Sequence, residues 1–339
     1  MNSIYRSGGI VGGILCGGYG KRLWPLTNTV PKVLLEISKG YTILDRQLNQ
    51  LKNIGIKDVY LLAGYLHEKI RERYGEEWGR LRIHYFVEEE PGGTLYAINN
   101  LLENVESDYY LVMNGDIVTD INLLKMLRNA DENTVSIAVT RLKSPYGIVN
   151  LSENRITGFE EKPELPYYIN AGIYVISRRL KESFLVFKRG DVEKLVFPSL
   201  AKEGLLKYYF EKDALWYSVD SLKDLETVRS EFLNREDVPW GFVKTIVLTE
   251  NYMVRKVYIM EGFSTPVYLH RKKDESIHVV SGRGKIIVDD REIQVKEGDV
   301  VRIQPGQKHS ITALENLTLM EYATPHPDDR IEIKEDNIS

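Results

Sequence analysis

The residues best suited to chemistry stand near the start of the chain. Gly17-Gly18-Tyr19-Gly20 runs into Lys21-Arg22, and Pro31-Lys32 follows shortly after. Glycines behind a parallel strand let backbone N–H groups close on phosphate oxygens, and nearby cations neutralise the charge. The spacing is not GxxxxGK followed by Ser or Thr, because Lys21 is followed by Arg22, and it is not GxGxxG either. Taken alone, the stretch reads equally well as a Gly-rich turn with solvated cations.

A phosphate-binding turn needs a strand to deliver it. From residue 10 to about 235, apolar runs of strand length (10–16, 33–37, 59–63, 83–87, 109–113 and 135–140) alternate with helical stretches (42–54, 66–74, 94–105 and 121–130). That alternation predicts a largely parallel sheet covered on both faces, with ligands at the carboxyl ends of its strands. Arg6 followed by the 10–16 run imitates a short signal peptide. The run is broken by glycines, lacks a convincing cleavage site and continues into Lys21-Arg22, so it reads as a buried first strand.

After Trp240 the texture changes. Short runs at 243–248, 254–260, 276–280, 285–288, 300–303 and 317–322 are separated by turn signals such as Ser281-Gly282-Arg283-Gly284 and Pro305-Gly306. This predicts a small antiparallel barrel or jelly roll. The expected organisation is a Rossmann-like α/β domain with a mixed, mainly parallel sheet over 8–234, a linker at Glu236-Asp237-Val238-Pro239, an all-β domain over 240–325, and a loose acidic tail over 326–339.

Composition narrows the partners. Lys plus Arg number 45 against 49 Asp plus Glu, so a general basic surface that coats nucleic acid is not expected. No apolar run reaches membrane-spanning length. Cys16 is the single cysteine, which excludes an internal disulfide and a Cys-ligated zinc site and fits a reducing, cytoplasmic setting.

Residues 17–32, spelled GGYGKRLWPLTNTVPK, resemble the signature of the sugar-1-phosphate nucleotidylyltransferases, and further matches follow in order. Glu88-Glu89-Glu90-Pro91-Gly92-Gly93-Thr94 resembles the family's base-reading loop, and Asn114-Gly115-Asp116 its metal aspartate. Tyr146-Gly147, Glu160-Glu161-Lys162-Pro163 and Asn170-Ala171-Gly172 resemble its sugar-phosphate segments, and Trp216-Tyr217-Ser218-Val219-Asp220 its second metal aspartate. The resemblance covers about residues 8–233. It implies that a sugar-1-phosphate and an NTP give an NDP-sugar and pyrophosphate, without a general base, because the attacking phosphate is already an anion.

The implied roles follow residue by residue. Gly17, Gly18, Gly20, Arg22, Glu88 and Gly93 surround the nucleotide. Lys32 and Lys162 hold the reacting phosphates, and Gly147, Glu161 and Asn170 serve the sugar phosphate. Asp116 and Asp220 bind Mg²⁺. Arg22, Lys32, Asp116 and Lys162 form the catalytic set, in which charge neutralisation is the main task. One position stays open: the commoner family pattern puts its aspartate where Ser218 stands, whereas a variant pattern fits Asp220 through Leu225 and leaves Asp224 as a capping residue.

Glu88 bears on the base. A carboxylate only accepts hydrogen bonds. Guanine offers N1–H and N2–H₂ side by side, cytosine offers its N4 amino group, and uracil and thymine set N3–H between two carbonyls. Guanine ranks first and cytosine second. The Val219-Asp220-Ser221 variant favours cytidylyl transfer instead.

Residues 262–316 resemble a cupin, with His270, Glu275 and His309 as implied metal ligands. Tyr268 stands where cupins commonly carry another ligand, and His278 is out of phase with Glu275 along a strand. A transferase followed by a cupin is similar to the two-domain mannose-1-phosphate guanylyltransferases, which points to GTP and mannose-1-phosphate, and to a homo-oligomer formed through the cupin. The barrel is not expected to be a competent mannose-6-phosphate isomerase. A cytidylyltransferase, and a non-catalytic relative that senses sugar nucleotides, are the competing readings.

Overall fold

Strand β1 (Ile10–Cys16) lies in the middle of the first sheet, and its two glycines explain how that sheet is covered. In a computed structural model that describes residues 9–333, a Cβ on Gly12 would lie 2.9 Å from the Leu51 side chain and one on Gly13 2.8 Å from Leu101. Successive strand residues face opposite sides. The paired glycines therefore let helix α1 (Ile43–Asn53) close on one face and helix α2 (Thr94–Asn104) on the other. Helix α1 starts on a capping box in which Thr42 and Asp45 satisfy each other's backbone N–H.

Strands β2 (Asp58–Ala63), β3 (Leu81–Val87) and β4 (Tyr109–Asn114) run parallel, with β1 between β4 and β2. The chain first winds to one side, through β2 and β3, then returns to add β4 on the other. The switch point thus falls between the carboxyl ends of β1 and β4, where open α/β sheets bind ligands. The three-residue strand β5 (Ile117–Thr119) follows the Asp116 turn.

The far side of the sheet holds β6 (Val135–Lys143), a long β9 (Glu164–Ser177) antiparallel to both β4 and β6, and β10 (Leu206–Phe210), which is parallel to β6. A separate exposed hairpin, β7 (Ile148–Ser152) with β8 (Arg155–Glu160), projects between β6 and β9 in the chain. Strand β11 (Trp216–Ser218) pairs with β5, and helix α3 (Leu222–Phe232) follows. Leu62, Ile98, Leu101, Val112, Tyr174 and Phe184 form part of the buried core.

One expected strand is different. Residues 33–37 are not continuous β structure: Pro31 starts a 3-10 turn, Leu34 N–H bonds Pro31 carbonyl at 2.8 Å, and only Glu36–Ser38 is extended. The turn's first residue is Lys32.

The chain divides into two compact units, one ending at Leu225 and the other beginning at Glu226. The second is two antiparallel sheets packed face to face, a jelly roll. One sheet holds Arg235–Val238, β12 (Gly241–Leu248), β13 (Met253–Ile259), β15 (Glu275–Ser281), β18 (Val300–Ile303) and β20 (Leu317–Ala323). The other holds β14 (Tyr268–Leu269), β16 (Arg283–Val288), β17 (Arg291–Lys296), β19 (His309–Ala313) and β21 (Ile331–Glu332). Ile277 and Val279 from the first meet Ile286 and Ile311 from the second in the core.

Two sequence expectations are corrected. Residues 236–239 are not a linker, because Arg235–Val238 is an edge strand of the second unit. It is fixed by the Arg235–Asp237 ion pair and by the Arg235 guanidinium lying 3.8 Å over the Phe242 ring. The start of the supposed loose tail is also built in, since Ile331 and Glu332 pair with Leu269 and Tyr268. Arg6 and residues 334–339 lie outside the described residues. No helix among the described residues is long and apolar enough to cross a membrane.

Candidate active site

A cleft of about 510 Å³ opens at the switch point. The Gly17–Gly20 turn after β1 forms one wall, with Gly20 in the left-handed region at φ 61°. Thr27 Oγ1 donates to Gly20 carbonyl at 2.9 Å, so the turn folds back toward Lys32. Arg22, Lys32, Glu88, Gly93, Asp116 and Asp220 all line the same cleft.

Two carboxylates converge on one ammonium. Lys32 Nζ lies 2.7 Å from Asp116 Oδ2 and 2.8 Å from Asp220 Oδ1. Arg22 Nη2 lies 2.7 Å from the same Asp220 oxygen, and Ser218 Oγ donates to Asp220 Oδ2 at 2.9 Å. Burial pushes the Asp220 carboxyl up, but Lys32, Ser218 and Arg22 outweigh it and hold the group below its ordinary value. Asp220 occupies the position beside Asp116, and Ser218 supports it. Asp224 accepts from Ser221 N–H and Oγ, both at 2.8 Å, and so caps α3.

The backbone explains why residues a hundred positions apart meet. Ser218 pairs opposite Ile117 in the β5–β11 ribbon, and Val219 N–H bonds Asp116 carbonyl at 2.9 Å. A polar row on α1 holds that ribbon from behind. Gln47 Nε2 donates to the Asn114 and Ile117 carbonyls, Gln50 Nε2 to Thr119 carbonyl, and Arg46 to Thr119 carbonyl and Asp120. Arg46 and Gln47 are buried. The signal in the sequence is two polar residues side by side in the buried stretch of an amphipathic helix.

Glu88 ends the strand side of the cleft and is half-buried. Burial pushes its carboxyl up, against the pull of Gly92 N–H and Arg189. Gly92 N–H donates to Glu88 Oε2 at 3.1 Å, which closes the 88–92 loop and leaves Oε1 as a further acceptor. Gly93 has φ 88°, and a Cβ there would stand 2.2 Å from Gly190 carbonyl, so only glycine fits. Cys16 also lines the cleft, but its thiol is buried, bonds Ile14 carbonyl and has its pKa pushed up by burial, so it is a packing residue.

The sugar-phosphate residues lie elsewhere in the first unit and do not line this cleft. Gly147 and Glu161 sit together at the base of the exposed hairpin, where a Cβ on Gly147 would be 3.0 Å from Glu161 Oε2. Lys162, at φ 50°, pairs with Glu161 at 3.1 Å, and both side chains are more than half exposed. Asn170 Oδ1 accepts from Gly172 N–H at 2.8 Å, and its Nδ2 donates to Tyr174 at 2.9 Å. This segment does approach the cleft, since a Cβ on Gly172 would lie 2.8 Å from the side chain of Asn114, a lining residue.

The barrel of the second unit holds its own polar cluster. One ligand atom from each of His270, Glu275 and His309 lies within 4.8 Å of the others, and all three residues are buried. His270 Nδ1 bonds Asp329 carbonyl, and His309 Nδ1 bonds Gln307 carbonyl at 3.2 Å. That tautomer turns both Nε2 atoms toward Glu275 Oε1, at 3.6 and 3.3 Å. Burial, followed by the Lys273 charge, lowers His270 to about 4. Burial lowers His309 as well, so both rings are neutral near pH 7. Two neutral imidazoles and one carboxylate oxygen are a donor set that suits a divalent transition metal.

Lys273 was missed in the sequence. Its buried ammonium sits 2.6 Å from Glu275 Oε2 and 2.8 Å from Glu321 Oε1. Burial and the Glu321 charge push the Glu275 carboxyl up, while Lys273 opposes them. The available signal was spacing: Lys273 stands two residues before Glu275, the interval at which extended residues share a face. Tyr268 carries the Arg330 guanidinium 4.7 Å over its ring.

Comparisons with known proteins agree with this architecture. The nucleotidyl transferase family matches residues 11–235, and the cupin domain family matches residues 255–321. The chain is 30% identical over 255 residues to the mannose-1-phosphate guanylyltransferase catalytic subunit beta of Xenopus tropicalis, covering 69% of this chain and 70% of that protein. It is 34% identical over 187 residues to the D-glycero-alpha-D-manno-heptose 1-phosphate guanylyltransferase of Campylobacter jejuni, covering 54% of this chain and 83% of that one. The crystal structure of HddC from Yersinia pseudotuberculosis shares the fold, with a TM-score of 0.54 at 23% identity, over 66% of this chain and 99% of that chain. With a family match over most of its length and a second match in its barrel, the chain belongs to the nucleotidyl transferase family and carries a cupin domain behind its transferase domain.

Proposed function

We propose that the chain transfers a nucleotidyl group from a nucleoside triphosphate to a sugar-1-phosphate, with GTP and mannose-1-phosphate as the substrate pair. The observation that carries this reading is the convergence of Asp116 and Asp220 on Lys32, beside Arg22 and the Gly17–Gly20 turn. Two carboxylate oxygens within 2.8 Å of one cationic point suit Mg²⁺, which takes hard oxygen ligands and substrate phosphates. Asp116 and Asp220 would hold the ion, which would supply charge neutralisation at the α-phosphate.

The chain's own residues do the rest. Backbone N–H groups of the Gly17–Gly20 turn and the Arg22 fork face the triphosphate. Lys32 keeps a positive charge at the reacting centre, and Lys162, beside Glu161, offers a second cation to the acceptor phosphate. An oxygen of the sugar-1-phosphate attacks the α-phosphorus, the bond to the β-phosphate oxygen breaks, and pyrophosphate leaves with that oxygen. No side chain has to take a proton, because the attacking group is already an anion. Glu88 offers carboxylate acceptors to the adjacent guanine N1–H and N2–H₂ donors. The guanylyl choice also draws on two relatives whose names carry guanylyl transfer to manno-configured sugar-1-phosphates.

In the barrel we assign His270, Glu275 and His309 as the ligands of a divalent metal without isomerase chemistry. The reading includes a homo-oligomer formed through the barrel, in the cytoplasm. The test is pyrophosphate release over a matrix of NTPs and sugar-1-phosphates, with EDTA and added Mg²⁺. The fastest turnover is expected with GTP and mannose-1-phosphate, lost on chelation and restored by Mg²⁺. No release with any pair leaves a sugar-nucleotide sensor as the better reading.

A further inference from the structure

Thr94, Glu193 and Tyr174, which have no role above, form one hydrogen-bonded chain with the sugar-phosphate residue Asn170. Thr94 follows the base loop as the first residue of α2, and its Oγ1 donates to Glu193 Oε2 at 3.0 Å. Tyr174 OH donates to the other oxygen, Glu193 Oε1, at 3.2 Å, and accepts from Asn170 Nδ2 at 2.9 Å. The direction of every bond is determined. Asn170 Oδ1 takes Gly172 N–H, so its amide nitrogen must face Tyr174. Tyr174 must then give its own proton to Glu193, and Thr94, which accepts Val192 N–H at 3.0 Å, must give its proton to Glu193 as well. Only a group that accepts at both ends closes the chain, and a carboxylate does so.

The backbone around it is equally committed. Gly190 N–H bonds Gly92 carbonyl at 2.8 Å, and Leu95 N–H bonds Gly190 carbonyl at 2.9 Å. Residues 190–193 are therefore docked against the loop that carries Glu88 and Gly93, while Tyr174 is fully buried in the central strand that continues from Asn170.

We propose that Glu193 is a positioning residue that holds the base loop in register with the acceptor segment, so that nucleotide and sugar phosphate meet at a set distance. This rests on the nucleotidyl-transfer reading. Reacting groups displaced by on the order of 1 Å can lose about 10²-fold in rate. Glu193→Gln puts a donor where the chain needs an acceptor, and Tyr174→Phe removes the middle bond.

The test has two arms. In steady-state kinetics with GTP and mannose-1-phosphate, each variant is expected to lose about tenfold or more in kcat with small changes in either KM, and the double variant to be no worse than one single, as for residues in one network. Thr94→Ser should keep the rate, and Thr94→Val should lose it. In hydrogen exchange on the full chain, Glu193→Gln and Tyr174→Phe should each raise exchange in both 88–95 and 168–176. Multiplicative losses in the double variant, or exchange rising only in the segment next to the substitution, overturn the proposal. If the wild-type chain releases no pyrophosphate, the functional reading falls, and the exchange arm still decides whether Glu193 couples the two segments.

Discussion

The two units solve the same electrostatic problem in opposite settings. Each sets a lysine between two carboxylates: Lys32 between Asp116 and Asp220, and Lys273 between Glu275 and Glu321. In the cleft the side chains are 13%, 27% and 28% exposed, whereas in the barrel they are 4%, 2% and 11% exposed. Exposure decides what the trio can do. In a wet cleft an ion pair contributes little to stability, so its partners can be exchanged for a polyanion and a metal at small cost. In a sealed barrel no water replaces a lost partner, and the trio is bound into the fold.

Five single substitutions and one double variant sharpen or break that contrast. The largest effect on stability is expected from Lys273→Met, which strands two buried carboxylates and should destabilise the second unit by about 3–5 kcal/mol in urea unfolding. Lys273→Met with Glu321→Gln should recover part of the loss. A Lys273→Met chain as stable as wild type would mean that the barrel trio is no more costly to break than the open one. Next, Asp116→Asn should leave the unfolding midpoint almost unchanged while pyrophosphate release falls about 10² to 10³-fold, as for loss of one electrostatic contact to the transition state. Asp220→Asn should match it.

Glu88→Gln is smaller again. It should cost about 1–3 kcal/mol of discrimination, weakening GTP more than UTP or dTTP, if base-pair readout is the guide. Because burial raises the Glu88 pKa, its charge is lost at higher pH than for an ordinary glutamate. The KM for GTP should therefore climb early as the pH falls, and Glu88→Gln should flatten that climb. Equal changes for all nucleotides would separate Glu88 from the base. Least of all, Ser218→Ala removes one hydroxyl donor to the Asp220 carboxylate and should change kcat less than either aspartate variant, which would settle their relative rank.

The same contrast governs what could be read from residues alone. The β1 strand, its Gly-rich turn and the parallel alternation were legible, because apolar period and turn chemistry are local. So was the barrel, from short strands with turn signals between them. Asp220 was favoured from the variant pattern but left open against Ser218, because its place beside Asp116 depends on β11 pairing with β5 in one register. The polar row Arg46, Gln47 and Gln50 was hidden inside an ordinary amphipathic helix. Lys273 lay in a run of charges, His270 to Glu275, that looks solvated, and its burial is compensated by Glu275 together with Glu321, 48 residues on. The linker at 236–239 was misread because Asp237 pairs with Arg235 and the segment is hydrogen-bonded along β12 as an edge strand.

Asp329 accepts from the backbone N–H groups of Arg271, Lys272 and Lys273, and its own carbonyl takes the His270 ring. One residue almost at the end of the described chain thus sets the loop that begins the barrel's polar cluster. During synthesis the first unit has all its strands once Ser218 has emerged, whereas the barrel cannot finish until a residue made more than fifty positions after His270 arrives to lock it. Nascent chains should pass through a stage with a closed transferase unit and an unlatched barrel. Protease pulses on stalled ribosomes would detect it as cleavage near Lys272 that disappears only when Asp329 has left the exit tunnel.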